Sequence, residues 1–278
     1  MKAAVARQTC WGHFVAVLAV IGCAASSGRA DDDFNDNTPA PQWVVIEDNS
    51  AALAIDEVNG QVEVDADGSS SAIDDAIFLS DASAGYALST AADFEIQIQF
   101  TLEAFVAVGS AGDAFAFVFG VGEDLDGQNS AAIAWALGNL GVGTASTVVS
   151  DYRVNDASTG PTLLGAGPSV GTLPQAVTFI AAYDTALDRL TLSIPEVSAS
   201  TDLDGLVQGQ WGASALRYSF GARGEGYSVA GDEAYFDNFQ VVSGRFVPEP
   251  GALTLVIAGA MAWGVRRRRF VADRTART

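Results

Sequence analysis

Residues 94–102 show the cleanest alternation in the chain. Phe94, Ile96, Ile98, Phe100 and Leu102 fall on one side, while Glu95, Gln97, Gln99 and Thr101 fall on the other. A period of two over this length predicts a β-strand with one wet face. Residues 114–121 differ: Phe115, Phe117 and Phe119 alternate with Ala116, Val118 and Gly120. Both faces are apolar there, which predicts a central strand covered on both sides. Shorter β-type runs bounded by turn residues predict strands at 43–47, 61–64, 76–79, 131–137, 147–154, 176–183, 189–194, 216–221 and 234–242. Between the termini no window sustains a helical period. About a dozen short strands over about 215 residues predict an all-β fold, a two-sheet antiparallel sandwich in one domain spanning 31–246.

Two apolar runs break this pattern. Lys2 and Arg7 precede an apolar run at 14–21 and then small residues, the order of a secretory signal peptide, here 1–30. Gly28 and Ala30 place small residues before Asp31, so cleavage is expected between Ala30 and Asp31. Val20, Ile21, Gly22 and Cys23 also read as a lipidation box with Cys23 as the modified residue; either reading exports the chain. The second run, 251–265, predicts a transmembrane helix. Its 15 residues reach about 22 Å at about 1.5 Å per residue, so Phe246, Val247 and a snorkelling Arg266 must extend it. Arg266, Arg267, Arg268 and Arg269 hold the far end cytoplasmic, leaving 270–278 as a cytoplasmic tail.

Composition then removes whole classes of chemistry. From Asp31 to Phe246 there are 32 acidic residues against five basic ones, a net −27. A field of that sign repels phosphate backbones, so nucleic acid is not a partner. The same segment has no His, Cys or Lys, which excludes Ser-His-Asp and Cys-His catalysis, zinc sites of the usual ligands, disulfides and Schiff bases.

Pro248, Glu249 and Pro250, the apolar run and the arginine cluster together resemble a PEP-CTERM sorting signal over 247–269. That resemblance implies an exosortase-type processing enzyme as partner, inner-membrane anchoring through the C-terminal helix, and release to the cell surface or beyond. Asp33, Phe34, Asn35 and Asp36, set beside 235–242, resemble the paired first and last strands of the concanavalin A-like jelly roll, the fold of lectins and laminin-G-like modules. Gly112, Asp113 and Ala114 are similar to the lectin segment that presents an aspartate to sugar, which implies a carbohydrate role for Asp113.

Three acidic turns offer calcium chemistry: Asp65 with Asp67, the loop of Asp124, Asp126 and Asn129, and Asp202 with Asp204. Calcium takes six to eight oxygens, and none of these turns completes an EF-hand loop, so ordinary polar turns are the other reading. Trp43, Trp135 and Trp211 are candidates for stacking on sugar rings. Trp135 lies in an apolar run and is expected in the core, whereas Trp211, between Gly209 and Gly212, is expected to be accessible. Glycoside hydrolysis needs two carboxylates facing one cleft. The jelly-roll glycosidases resembled here place theirs along one strand, but on 94–102 Glu95 is followed on its own face by the amides Gln97 and Gln99.

These observations predict no cofactor beyond calcium and no catalytic residues. The leading expectation is an exported, C-terminally sorted β-sandwich with a structural or adhesive role, its partner exopolysaccharide by resemblance. The alternatives are a lectin-like module, with or without calcium, and a glycosidase whose acid pair comes from separated strands.

Overall fold

The structure is a computed structural model that describes residues 31–36, 39–40, 42–48, 53–66, 73–104, 114–123, 128–139, 144–225 and 233–247. Its strands are β1 (Trp43–Glu47), β2 (Ala54–Val58), β3 (Gln61–Asp65), β4 (Ile73–Ser80), β5 (Leu88–Ser89), β6 (Phe94–Ala104), β7 (Ala114–Gly122) and β8 (Ser130–Asn139). They continue as β9 (Thr144–Val154), β10 (Ala157–Ser158), β11 (Thr162–Ala166), β12 (Gln175–Asp184), β13 (Arg189–Ile194), β14 (Ala199–Asp204), β15 (Ala215–Glu225) and β16 (Glu233–Ser243). The strands form two antiparallel sheets, as the alternation predicts. One runs β14-β13-β12-β6-β16-β3-β2; the other runs β1-β4-β15-β7-β8-β9-β10, with β11 on β9 and β5 on β15.

Alternation explains the core. On β6 every second residue from Phe94 to Leu102 is buried, and on β7 the same holds for Phe115, Phe117 and Phe119. These inner faces meet as rings packed across the sandwich. Phe100 of β6 lies 4.2 Å from Phe117 of β7, and Phe220 of β15 lies 5.0 Å from Phe236 of β16. A second group gathers around Trp43, 5.1 Å from Phe220 and 5.0 Å from Phe239. Burying such rings, each about 150–250 Å², is the main force joining the sheets.

The first and last segments do meet, through a bridge between Asp32 and Phe239 whose N–H to carbonyl distance is 3.0 Å. Strand β7 is central as expected, but it is not covered on both sides. Its outward Ala116 and Val118 are only half-buried, because small side chains make that face apolar without a layer above it. Asp202 and Asp204 do not sit in a turn: both point outward from the edge strand β14. Beyond the last strand the chain stays pinned. Ser89 N–H donates to the Arg245 carbonyl at 2.7 Å, Val247 N–H donates to the Ala87 carbonyl at 2.9 Å, and the Tyr86 and Phe246 rings lie 5.9 Å apart. The expected signal peptide, the transmembrane helix and 270–278 lie outside the described residues, among which no helix is long and apolar enough to cross a membrane.

Candidate functional site

Register converts the polar face of β6 into rows that run across strands. Gln97 pairs with Ile180 of β12 on one side and with Gln240 of β16 on the other; Ile180 pairs with Ser193 of β13, and Ser193 with Ser200 of β14. The resulting row, Ser200-Ser193-Ile180-Gln97-Gln240, crosses five strands without a charge. Side chains in it point outward because Phe179, Ile98 and Leu192 on the same strands point into the core. Gln97 Nε2 donates to Gln240 Oε1 at 3.0 Å, which leaves the other half of each amide for a ligand. In the next row Gln99 lies between Thr178 and Asp237, and its Oε1 accepts from Asn238 Nδ2 at 3.1 Å. Asn238 reaches that far because β16 bulges between Asp237 and Gln240, with Asn238 at φ 52.

At β14 the Gln97 row ends in Ser200, whereas the two neighbouring rows, through Thr191 and Arg189, end in charge at Asp202 and Asp204. Arg189 Nε donates to Asp204 Oδ1 at 2.6 Å, and Thr191 Oγ1 donates to Asp202 Oδ1 at 2.7 Å. Toward β16 the first row opens into a groove of about 590 Å³ lined by Asp31, Asp32, Asp33, Asn238, Gln240 and Val242, with Phe239 and Val241 behind. Asp31 Oδ1 accepts the Val241 N–H at 3.0 Å. Asp32 Oδ2 accepts Gln42 Nε2 at 3.0 Å and the Trp43 indole N–H at 2.8 Å. Burial raises the Asp237 carboxyl; the Asn238 N–H opposes that shift, and the charge of Asp33 adds to it. Val242, half exposed, contributes an apolar edge.

The residues singled out in the sequence fall elsewhere. Asp113, Asp124 and Asp126 lie outside the described residues, as do the sorting residues Pro248, Glu249, Pro250, Arg266, Arg267, Arg268 and Arg269, and Ala30 at the cleavage point. Asp31 lines the groove. Asn129 is spent on bonds within the chain: its Nδ2 donates to Glu123 Oε2, and its Oδ1 accepts the Asn155 N–H of the β9–β10 turn at 2.8 Å. Trp211 is not accessible. It is 8% exposed, with its indole N–H donated to the Arg153 carbonyl at 2.9 Å. The flanking glycines do not open it to solvent. Gly212, with Gly205, takes a left-handed φ of 66 to end a single π-helical turn, Leu206–Trp211, that folds the ring inward. Trp211 and Asn129 thus hold the β9–β10 hairpin from two sides. Trp43 and Trp135 are also buried, so among the described residues no tryptophan presents a face for sugar stacking. Among the described residues no group of three or more His, Cys, Asp or Glu is placed to hold a metal ion.

No protein-family model matches the chain, and no curated protein matches it. Solved structures with a similar course of the chain include lectin II from Ulex europaeus, at 12% identity over 78% of this chain and 98% of that one, TM-score 0.48. The CBM2 module of an evolved Dit from Lactobacillus casei phage J-1 matches at 9% identity over 78% and 97%, TM-score 0.47. An alginate lyase from Pseudomonas aeruginosa matches at 20% identity over 62% and 74%, TM-score 0.42. At such scores these likenesses add nothing to the two-sheet architecture visible in the chain's own strand pairing.

Proposed function

We propose that this chain is an exported, noncatalytic carbohydrate-binding sandwich. In this reading the signal peptide delivers it, Pro248, Glu249, Pro250 and the arginine cluster sort it, and it works at the cell envelope or in extracellular polymer. The observation that carries the binding role is the uncharged row across β14, β13, β12, β6 and β16. Serines and glutamines supply donors and acceptors in register, and Ile180 supplies an apolar contact, the mixture that a polyol with C–H faces requires. An adhesive role follows, since a protein tethered to the envelope and bound to polymer joins the two. The noncatalytic part is supported by Gln97 and Gln99, amides at the places on β6 where an acid pair with Glu95 would stand.

Affinity electrophoresis of the full chain in detergent micelles tests the binding role. Gels cast with neutral or with acidic polysaccharides are used, at least one of which is expected to retard it relative to plain gels, and equal mobility throughout would remove the reading. The sorting part has its own test, the intact mass of protein recovered from its native host. Loss of 1–30 and of the segment after Pro250 is expected; a mass retaining the C-terminus would overturn it.

A further inference from the structure

We infer that the site takes an uncharged, extended polysaccharide chain laid across the strands, rather than a monosaccharide or an acidic polymer; the inference rests on the binding role above. Three observations converge on it.

The first is charge. The segment carries 32 acidic residues against five basic ones, and those on or beside this face include Glu63, Glu95, Asp202, Asp204, Asp33 and Asp237. The cation on the face, Arg189, is held by Asp204 at 2.6 Å and lies 3.8 Å from Asp202. A uronate or sulfated sugar lying on the row would meet repulsion, and among the described residues the row itself offers it no guanidinium.

The second is shape. Small sugars are gripped in enclosed pockets that bury most of their surface. Here the polar groups stand in an open row of five strands, about 19 Å long at about 4.8 Å per strand. Such a row presents many weak contacts in sequence, which only a chain can use together.

The third is the end of the row. Beyond Gln240 the surface falls into the 590 Å³ groove, whose lining holds the half-exposed Val242 beside Asn238 and Gln240, with Asp31, Asp32 and Asp33 along it. A chain crossing the row runs on into this groove, so the two form one track.

Isothermal titration of the full chain in detergent micelles tests this. The probes are a neutral soluble β-glucan, a neutral mannan and a neutral galactan, each as polymer, hexasaccharide and disaccharide, with alginate as the acidic polymer. Binding to at least one neutral polymer is expected, weakening from polymer to hexasaccharide and absent for its disaccharide. Its affinity should hold within about twofold between about 20 and about 500 mM salt, because no ion pair is made. The double variant Gln97→Ala with Gln240→Ala should weaken binding about tenfold, and Ser193→Ala with Ser200→Ala less, whereas Thr147→Ala on the other sheet should leave it unchanged. Unaltered melting of each variant separates lost contacts from lost fold. Preference for alginate, equal affinity for disaccharide and polymer, or steep loss of affinity with salt would overturn the inference while leaving a carbohydrate-binding protein. Heat from none of the probes would overturn the binding role itself.

Discussion

The two outer faces of the sandwich are built from opposite kinds of residue. On the seven-stranded sheet, positions facing away from the core carry mainly glutamine, serine, threonine and carboxylates, with Ile180 and Ala182 among them. On the nine-stranded sheet one outward row reads Ser219-Gly120-Ala132-Asp151 and the next reads Gly221-Val118-Ala134-Val149. The reason lies in how closely the strands approach. A Cβ added to Gly120 would stand 2.6 Å from the Ala131 carbonyl oxygen, and one added to Gly221 would stand 2.2 Å from that of Ala76. This sheet has no room for long side chains at those places. Charge divides as well. Arg153, Arg217 and Arg223, three of the five basic residues of the segment, lie on β9 and β15 of the nine-stranded sheet. One face is thus shaped by its backbone and the other by its side chains, and chemistry that needs a display of polar groups belongs to the second.

The largest expected effect breaks the backbone-shaped face. Gly221→Ala should cost about 3 kcal/mol, since its methyl meets a carbonyl oxygen that the ladder holds in place. Thr178→Ala, outward on the seven-stranded sheet, should stay within about 0.5 kcal/mol. Urea denaturation of both reads the contrast, and equal costs would mean that the nine-stranded sheet yields as easily as the other.

Next comes the corner where the seven-stranded sheet holds the π-helical turn. Asp188 Oδ1 accepts the Gln208 N–H and the Tyr183 hydroxyl, each at 2.9 Å, and Oδ2 accepts the Gly209 N–H at 2.9 Å. Partial burial raises the Asp188 carboxyl, but these bonds together outweigh it and hold it below the usual range. With the folded value below the unfolded one near 3.9, the stabilisation is present above that pH and is lost as pH falls through the folded value. Asp188→Asn should therefore cost about 2 kcal/mol at neutral pH and flatten the decline in melting temperature below about pH 4. A decline as steep as that of the parent would show that Asp188 is not its source.

The smallest effect tests where the proposed sugar site lies. Trp211→Phe loses the bond to Arg153 and should cost about 1 kcal/mol, with polysaccharide affinity unchanged. Loss of affinity at full stability would move the site to the π-helical turn.

How much of this was legible in the sequence depended on what each strand had to bury. Strands with large apolar residues on the inner face, such as β6, β13 and β16, announced themselves by alternation. Strand β2 did not, because Glu57 occupies a buried position and interrupts the apolar series. Strand β14 read as a turn, since Asp-x-Asp-Gly has the residues of one; its partner Arg189 and the buried Ala199 make it a strand instead. Strand β11 is short, bulged between Leu163 and Gly165, and leaves Leu163 66% exposed. The polar side of β6 was visible from the start. That Ser193, Ser200 and Gln240 stand level with Gln97 was not, because register between strands distant in sequence is set by the packed core and leaves no local trace.

The pinned segment after β16 has a mechanical consequence. Tension applied at Val247 is met first by the bonds to Ala87 and Ser89 and by the Tyr86–Phe246 contact. Behind them lies β16, which is flanked by β6 and β3 rather than sitting at an edge. An edge strand would peel away one bond at a time, whereas a strand held on both sides must slide, straining many bonds at once. Load applied there enters through the interior of the same sheet that presents the uncharged row, so under the proposed function the grip and the tether would share one girder.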